Sequence, residues 1–138
     1  MKTLVLFYSY SGKTRKLAEE LAKKENAEII EVKEKNKRSK FNAYVFGSIA
    51  AVQRKQAEIM PINCDFSQYG KIIVLVPIWA GRPAPAMNNI INALPAGKEV
   101  ELIFTSGSGN SKGSAEKTKG LVEARGCKVV KYSDIRAV

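Results

Sequence analysis

The chain has 138 residues, a mass of 15.2 kDa, 45% hydrophobic and 26% charged residues, and a net charge of +10. That composition excludes a disordered, collagen-like or low-complexity chain, and the length suits one domain spanning residues 1–138. With no histidine, His-based triads, His metal sites and His pH switches drop out, so no catalytic and no metal-binding residue is nominated. Cys64 and Cys127 lie too far apart in sequence for a CxxC motif. No apolar run approaches the ~20 residues of a membrane helix, and the short run at residues 4–8 does not make a signal peptide. The expectation is a cytoplasmic protein with two free thiols.

Strand patterns fall at residues 4–8, 28–32, 72–76, 100–104 and 128–132. The first, third and fourth are almost continuously apolar, as central parallel strands covered on both faces are. The second and fifth alternate with charge, as edge strands do. Between the first two, Leu17, Ala18, Leu21 and Ala22 share one helical face and Glu19, Glu20, Lys23 and Lys24 the other. Residues 44–52 hold a short helix, with Gly47 weakening it. Residues 86–94 form a helix with Met87, Ile90, Ile91 and Leu94 inward, opened by Pro83 and Pro85. Residues 114–125 form another, stopped at Gly126. Strands alternating with helices predict a doubly wound α/β fold. It is a three-layer sandwich around a five-stranded parallel sheet in the order 2-1-3-4-5, with right-handed crossovers. Ligands in such a sheet bind beyond the carboxyl ends of the strands, at the switch between the first and third.

The loop after the first strand reads Ser9, Tyr10, Ser11, Gly12, Lys13, Thr14 and leads into a helix. Free N–H groups and the positive end of the helix dipole make that start an anion site, and Gly12 lets backbone approach closely. Lys13, Arg15 and Lys16 carry the wrong sign for a bare helix start, and a bound anion would relieve that conflict. The alternative is a hydroxyl cap with no ligand. Gly12, Lys13 and Thr14 match the tail of a Walker A loop, but Phe7 stands where that motif needs its first glycine. The remaining loop suits one terminal phosphate monoester.

After the third strand come Pro77, Ile78, Trp79, Ala80, Gly81, Arg82, Pro83, Ala84 and Pro85, read here as a loop. Its tryptophan, the only one, either stacks on a flat heteroaromatic ring or packs as a lid over the core. After the fourth strand Thr105, Ser106, Gly107, Ser108 and Gly109 expose backbone N–H groups suited to a carbonyl-rich ring edge, or form only a flexible turn.

These three loops resemble those of the flavodoxin family. Ser9, Ser11, Gly12 and Thr14 match the FMN-phosphate pattern T/S-x-T/S-G-x-T. Pro77, Trp79, Gly81, Pro83 and Pro85 match the string P-x-W-x-G-x-P-x-P that contacts the isoalloxazine ring in flavodoxin-like proteins, and Thr105, Ser106 and Gly107 match the family's third loop. The resemblance implies that residues 9–14 take the phosphate of FMN, that residues 77–82 take the ring with Trp79 against it, and that Gly81 and residues 105–109 meet the pyrimidine edge. It also implies an electron-transfer protein shuttling electrons between redox partners. The alternatives are an FMN-dependent NAD(P)H or quinone oxidoreductase on the same fold and a redox-silent interaction module. No acidic residue occurs in the three loops, so no general acid or base is expected from them.

Charge departs from the family pattern, because flavodoxins tend to be acidic and this chain is not. Its densest basic run, at residues 33–40, has five basic residues and one acidic. The net +10 implies acidic redox partners. Nucleic acid is not expected, because that basic run lacks interleaved aromatics.

Overall fold

In a computed structural model, residues 1–36, 39, 42–107 and 110–136 are described, Tyr44 by its backbone alone. Strand β1 is Lys2–Tyr8, β2 Glu28–Val32, β3 Tyr69–Trp79, β4 Arg82–Pro83, β5 Glu99–Ser106 and β6 Lys128–Arg136. Helix α1 is Lys13–Glu25, α2 Ser48–Val52, α3 Ala86–Ala93 and α4 Ala115–Glu123. The sheet runs β2-β1-β3-β5-β6, with every neighbour on that path parallel. This is the order expected from the sequence. The two-residue β4 is an addition, paired antiparallel with the end of β3.

Strand alternation divides the apolar residues between two cores. Leu4, Leu6, Ile72, Val74, Val76, Leu102 and Phe104 face α3 and α4, packed with Met87, Ile90, Ile91 and Val122. Val5, Phe7, Ile73, Leu75 and Ile103 face α1, packed with Ala18 and Ala22 and flanked by Leu17 and Leu21. The α1 face is therefore the one that the sequence pattern picked out. Each fully buried Leu, Ile or Phe contributes roughly 1.5–3 kcal/mol, so both faces of β1, β3 and β5 hold the sandwich together.

β3, β6 and the segment after β2 depart most from their expected bounds. β3 continues through Pro77 and Ile78 to Trp79, because β4 folds back as a hairpin and gives its end a partner. β6 runs to Arg136 because β5 extends to Ser106 and pairs with it to the end. The expected helix over residues 44–52 is a π-helix at Ala43–Gly47 that passes directly into α2.

The stop after α4 is tightly built. Gly126 has φ +88, and a Cβ there would lie 2.8 Å from the Cβ of Ala96. Its carbonyl accepts from the Gly97 N–H at 2.8 Å. Gly97 has nearly the same φ, +86, with nothing within 4 Å of where its Cβ would be. Left-handed backbone costs a non-glycine residue about 1–2 kcal/mol. Gly97→Ala should show only that loss in urea denaturation. Gly126→Ala should lose clearly more, because it adds a steric collision.

Candidate functional site

Parallel pairing puts the carboxyl ends of β1, β3 and β5 on one rim, and the loops that leave them meet there. Thr14, at the start of α1, hydrogen-bonds Thr105, near the end of β5, at 2.8 Å between hydroxyl oxygens. Both residues are 3% exposed. The first and third loops are thus tied together beneath the surface. The Thr14 hydroxyl, expected to serve a phosphate, is engaged in this tie.

The first loop folds around its own backbone. The Gly12 N–H donates to Ser9 Oγ at 3.1 Å. Gly12 sits at φ +96 and caps α1 with no side chain of its own. The first i→i−4 bond of the helix runs from the Lys16 N–H to the Gly12 carbonyl at 3.1 Å, so the N–H groups of Lys13, Thr14 and Arg15 lie outside the helical ladder. They begin a helix beside a cavity of about 290 Å³ lined in part by Ser9, Tyr10, Ser11 and Gly12.

That cavity also holds groups that the loop sequences do not reveal. Arg15, Glu31, Lys33 and Glu34 complete its wall. Arg15 grips Glu31 with two bonds, Nε to Oε1 at 3.2 Å and Nη2 to Oε2 at 2.6 Å. This pairing raises the Arg15 pKa, through the hydrogen bond first and the charge second. The tension between basic residues and the helix start is therefore partly met by a carboxylate of β2. Glu34 accepts from the hydroxyl of the buried Tyr8. The three loops themselves carry no carboxylate, and these two come to the cavity from β2 and its exit. The 2-1-3 strand order brings the exit of β2 beside the exit of β1, which no reading of the three loops alone could show.

The second loop is a hairpin. Trp79 pairs with Arg82 across Ala80 and Gly81, whose φ values are +52 and +79. Two successive positive φ values are those of a type I′ turn, the two-residue connection that matches strand twist. Gly81 adopts this freely, whereas Ala80 carries strain. Trp79 is half-buried and belongs to the strand. Its ring meets Tyr8 and Tyr10 edge-on, at centroid distances of 6.1 and 5.9 Å. An open cleft of about 600 Å³ runs along it, lined by Tyr10, Ala43, Ser48, Ile78, Trp79 and Ala80. Tyr10 belongs to both hollows, so the polar cavity and the aromatic cleft adjoin. Ala43 and Ser48 come from the crossover after β2 and carried no signal in the sequence.

The remaining expected residues are placed as follows. Lys13 is exposed and Pro77 is half-buried, its carbonyl accepting from the Ala84 N–H at 2.9 Å. Ser106 Oγ accepts from the Asn110 N–H at 3.2 Å, and Gly107 is exposed. Ser108 and Gly109 lie outside the described residues. Beyond them Ser111 is an anchor: its hydroxyl donates to Asp134 Oδ1 at 2.6 Å and also pairs with the Tyr132 hydroxyl. Burial raises the Tyr132 pKa, keeping that hydroxyl a neutral partner. The third loop is thereby fastened to edge strand β6. Arg54 Nη2 donates to Thr118 Oγ1 at 3.1 Å and to the Ser114 carbonyl at 3.4 Å. Burial lowers its pKa, and the charge of nearby Arg82 lowers it further. Among the described residues, no group of three or more Cys, Asp or Glu side chains is placed to hold a metal.

A cofactor with an anionic end and a flat ring fits this arrangement. The uncapped start of α1 suits the anion, and the adjoining Tyr10–Trp79 cleft suits the ring.

No protein-family model matches the chain, and no curated protein matches it. Solved structures do. A flavoprotein in complex with FMN from Lactobacillus acidophilus NCFM is 26% identical, with a TM-score of 0.77 over 99% of this chain and 93% of that one. The apo-form of the flavoprotein from the same organism is 27% identical, with a TM-score of 0.70 over 96% and 92%. The flavodoxin of Streptococcus pneumonia TIGR4 is 12% identical, with a TM-score of 0.54 over 100% and 88%. By its strand order and by these likenesses, the chain has the flavodoxin-like fold.

Proposed function

We propose that this chain binds FMN noncovalently and serves as a cytoplasmic electron-transfer protein. The uncapped α1 start at Gly12 carries this reading, because it opens beside an aromatic cleft at the switch between β1 and β3. The FMN complex among its structural likenesses supports it. The N–H groups of Lys13, Thr14 and Arg15 and the hydroxyls of Ser9 and Ser11 hold the phosphate. Trp79 and Tyr10 bound the ring, with Gly81 and the start of the third loop near its polar edge. FMN, when bound, supplies the redox chemistry. The protein's part is to bind, orient and shield it. The redox partners are acidic proteins, in keeping with the net charge of +10.

The phosphate reading predicts discrimination between flavins. Hydrogen bonds to a charged group contribute roughly 1.5–3 kcal/mol each, so FMN should bind several kcal/mol more tightly than riboflavin. Titration of the apoprotein with both flavins, followed by visible absorbance, measures this. Equal affinities would remove the phosphate site.

Trp79→Ala should weaken FMN binding by about 1–3 kcal/mol, the scale of stacking on an aromatic side chain. The single tryptophan should also lose fluorescence as FMN binds. An unquenched signal with an unchanged dissociation constant would place the ring elsewhere.

The buried tie between the loops gives a separate expectation. Thr105→Val keeps the shape but leaves the Thr14 hydroxyl without this partner, at a cost of about 1–3 kcal/mol. The variant should unfold at lower urea and bind FMN less tightly, since the first and third loops lose their shared anchor.

A further inference from the structure

The segment that forms the outer wall of the cleft has an apolar outer face. Phe46, Ile49 and Val52 recur every third residue through the π-helix and α2, and are 57%, 50% and 48% exposed. Neighbouring large apolar side chains left in water mark interaction surfaces. The same segment turns Ala43 and Ser48 into the Trp79 cleft. A second hollow, lined by Ser48, Ile49, Val52, Gln53 and Ala80, continues from it beside the stripe. Ser48 and Ala80 belong to both hollows, so stripe and cleft form one continuous surface.

Charge identifies the occupant. Residues 33–55, which include the stripe, carry seven basic residues and one acidic, a net +6 out of +10 for the whole chain. A second copy would set this excess against itself, and like-charge juxtaposition disfavours association. A bilayer is a poor match, because three side chains over two turns bury little apolar area compared with the longer helices that lie in membrane interfaces. An apolar centre beside a charged surround is the anatomy of a protein–protein interface.

We propose that the Phe46, Ile49 and Val52 stripe is the docking surface for an acidic electron-transfer protein whose own apolar contact patch is ringed by carboxylates. The stripe's apolar side chains form the centre of the contact, and the net positive charge carried by the stretch of sequence around them, residues 33–55, attracts the partner's carboxylates. Docked there, the partner lies against the mouth of the cleft at Ala80. The inference rests on the FMN reading for its purpose, while the docking itself is measurable without it.

The test uses the FMN-saturated full chain, isotopically labelled, and an acidic [2Fe–2S] ferredoxin as probe. Amide shifts should change in residues 43–55 and 79–82. The dissociation constant should rise about tenfold or more between roughly 20 and 200 mM salt, as screening shortens the reach of the charges. Ile49→Glu should weaken binding by about tenfold or more, as loss of a central contact does. Val130→Glu makes the same kind of change at an apolar residue of β6 that is 40% exposed, and should have little effect. Equal losses in the two variants, shifts confined to another face, or no binding at low salt would each overturn the proposal. So would stripe-dependent binding to phosphatidylserine vesicles without binding to ferredoxin, or dimerisation abolished by Ile49→Glu. FMN affinity is measured for every variant. Loss of FMN binding by the parent chain would count against the cofactor reading, and the shift map of the apoprotein would still decide the docking surface.

Discussion

Parallel pairing of β1 with both β2 and β3 is the constraint on which the site depends. β1 meets β2 from Leu4 to Tyr8 and β3 from Lys2 to Phe7, in the middle of the sheet. Chains that leave a parallel strand must cross over a face before re-entering, so all the carboxyl ends collect on one rim. At β1 the crossovers part to opposite faces: α1 follows on one, and the segment after β2 returns over the other. The rim opens between them, and the uncapped start of α1 lies in that opening. Apolar burial on both faces pays for this geometry without needing any contribution from the site itself.

The rim has polar ties of its own. The Thr14–Thr105 hydrogen bond joins the first and third loops beneath the surface. Ser111, Tyr132 and Asp134 fasten the third loop to β6, and the Trp79–Arg82 hairpin stiffens the second loop by turning it into strand. Each loop is thus held by a different neighbour. These ties hold Thr14, Thr105, Ser111 and the Trp79 hairpin in place, so less ordering cost falls on binding at those residues.

Electrostatics at the site are less one-sided than the net charge suggests. Arg15 is neutralised by Glu31, and Glu34 sits at the same cavity in contact with Tyr8. In the sequence the basic excess is concentrated instead in residues 33–55, the stretch that follows β2. A basic protein can in this way keep a locally balanced pocket while presenting a positive surface beside it. Long-range attraction then acts on what approaches the cleft, with less bearing on what sits inside the cavity.

Local patterns in the chain determine the element types, the central and edge strands, the α1 face and the hydroxyl-rich first loop. Apolar periodicity and helix-start chemistry are properties of neighbouring residues, and they survive folding unchanged. Strand order was legible too, because alternating strands and helices leave few ways to cover a parallel sheet. The ends of β3 and β6 were not, since Trp79 becomes strand only when Arg82 folds back beside it, and Ser133–Arg136 only because Ile103–Ser106 extends alongside. Nor could sequence assign Thr14 to Thr105, Arg15 to Glu31, or Ser48 to the wall facing Trp79. Those partners stand 91, 16 and 31 positions apart in the chain. Only the closing of the sheet brings them within reach, and no local signal marks a residue for a partner that distant.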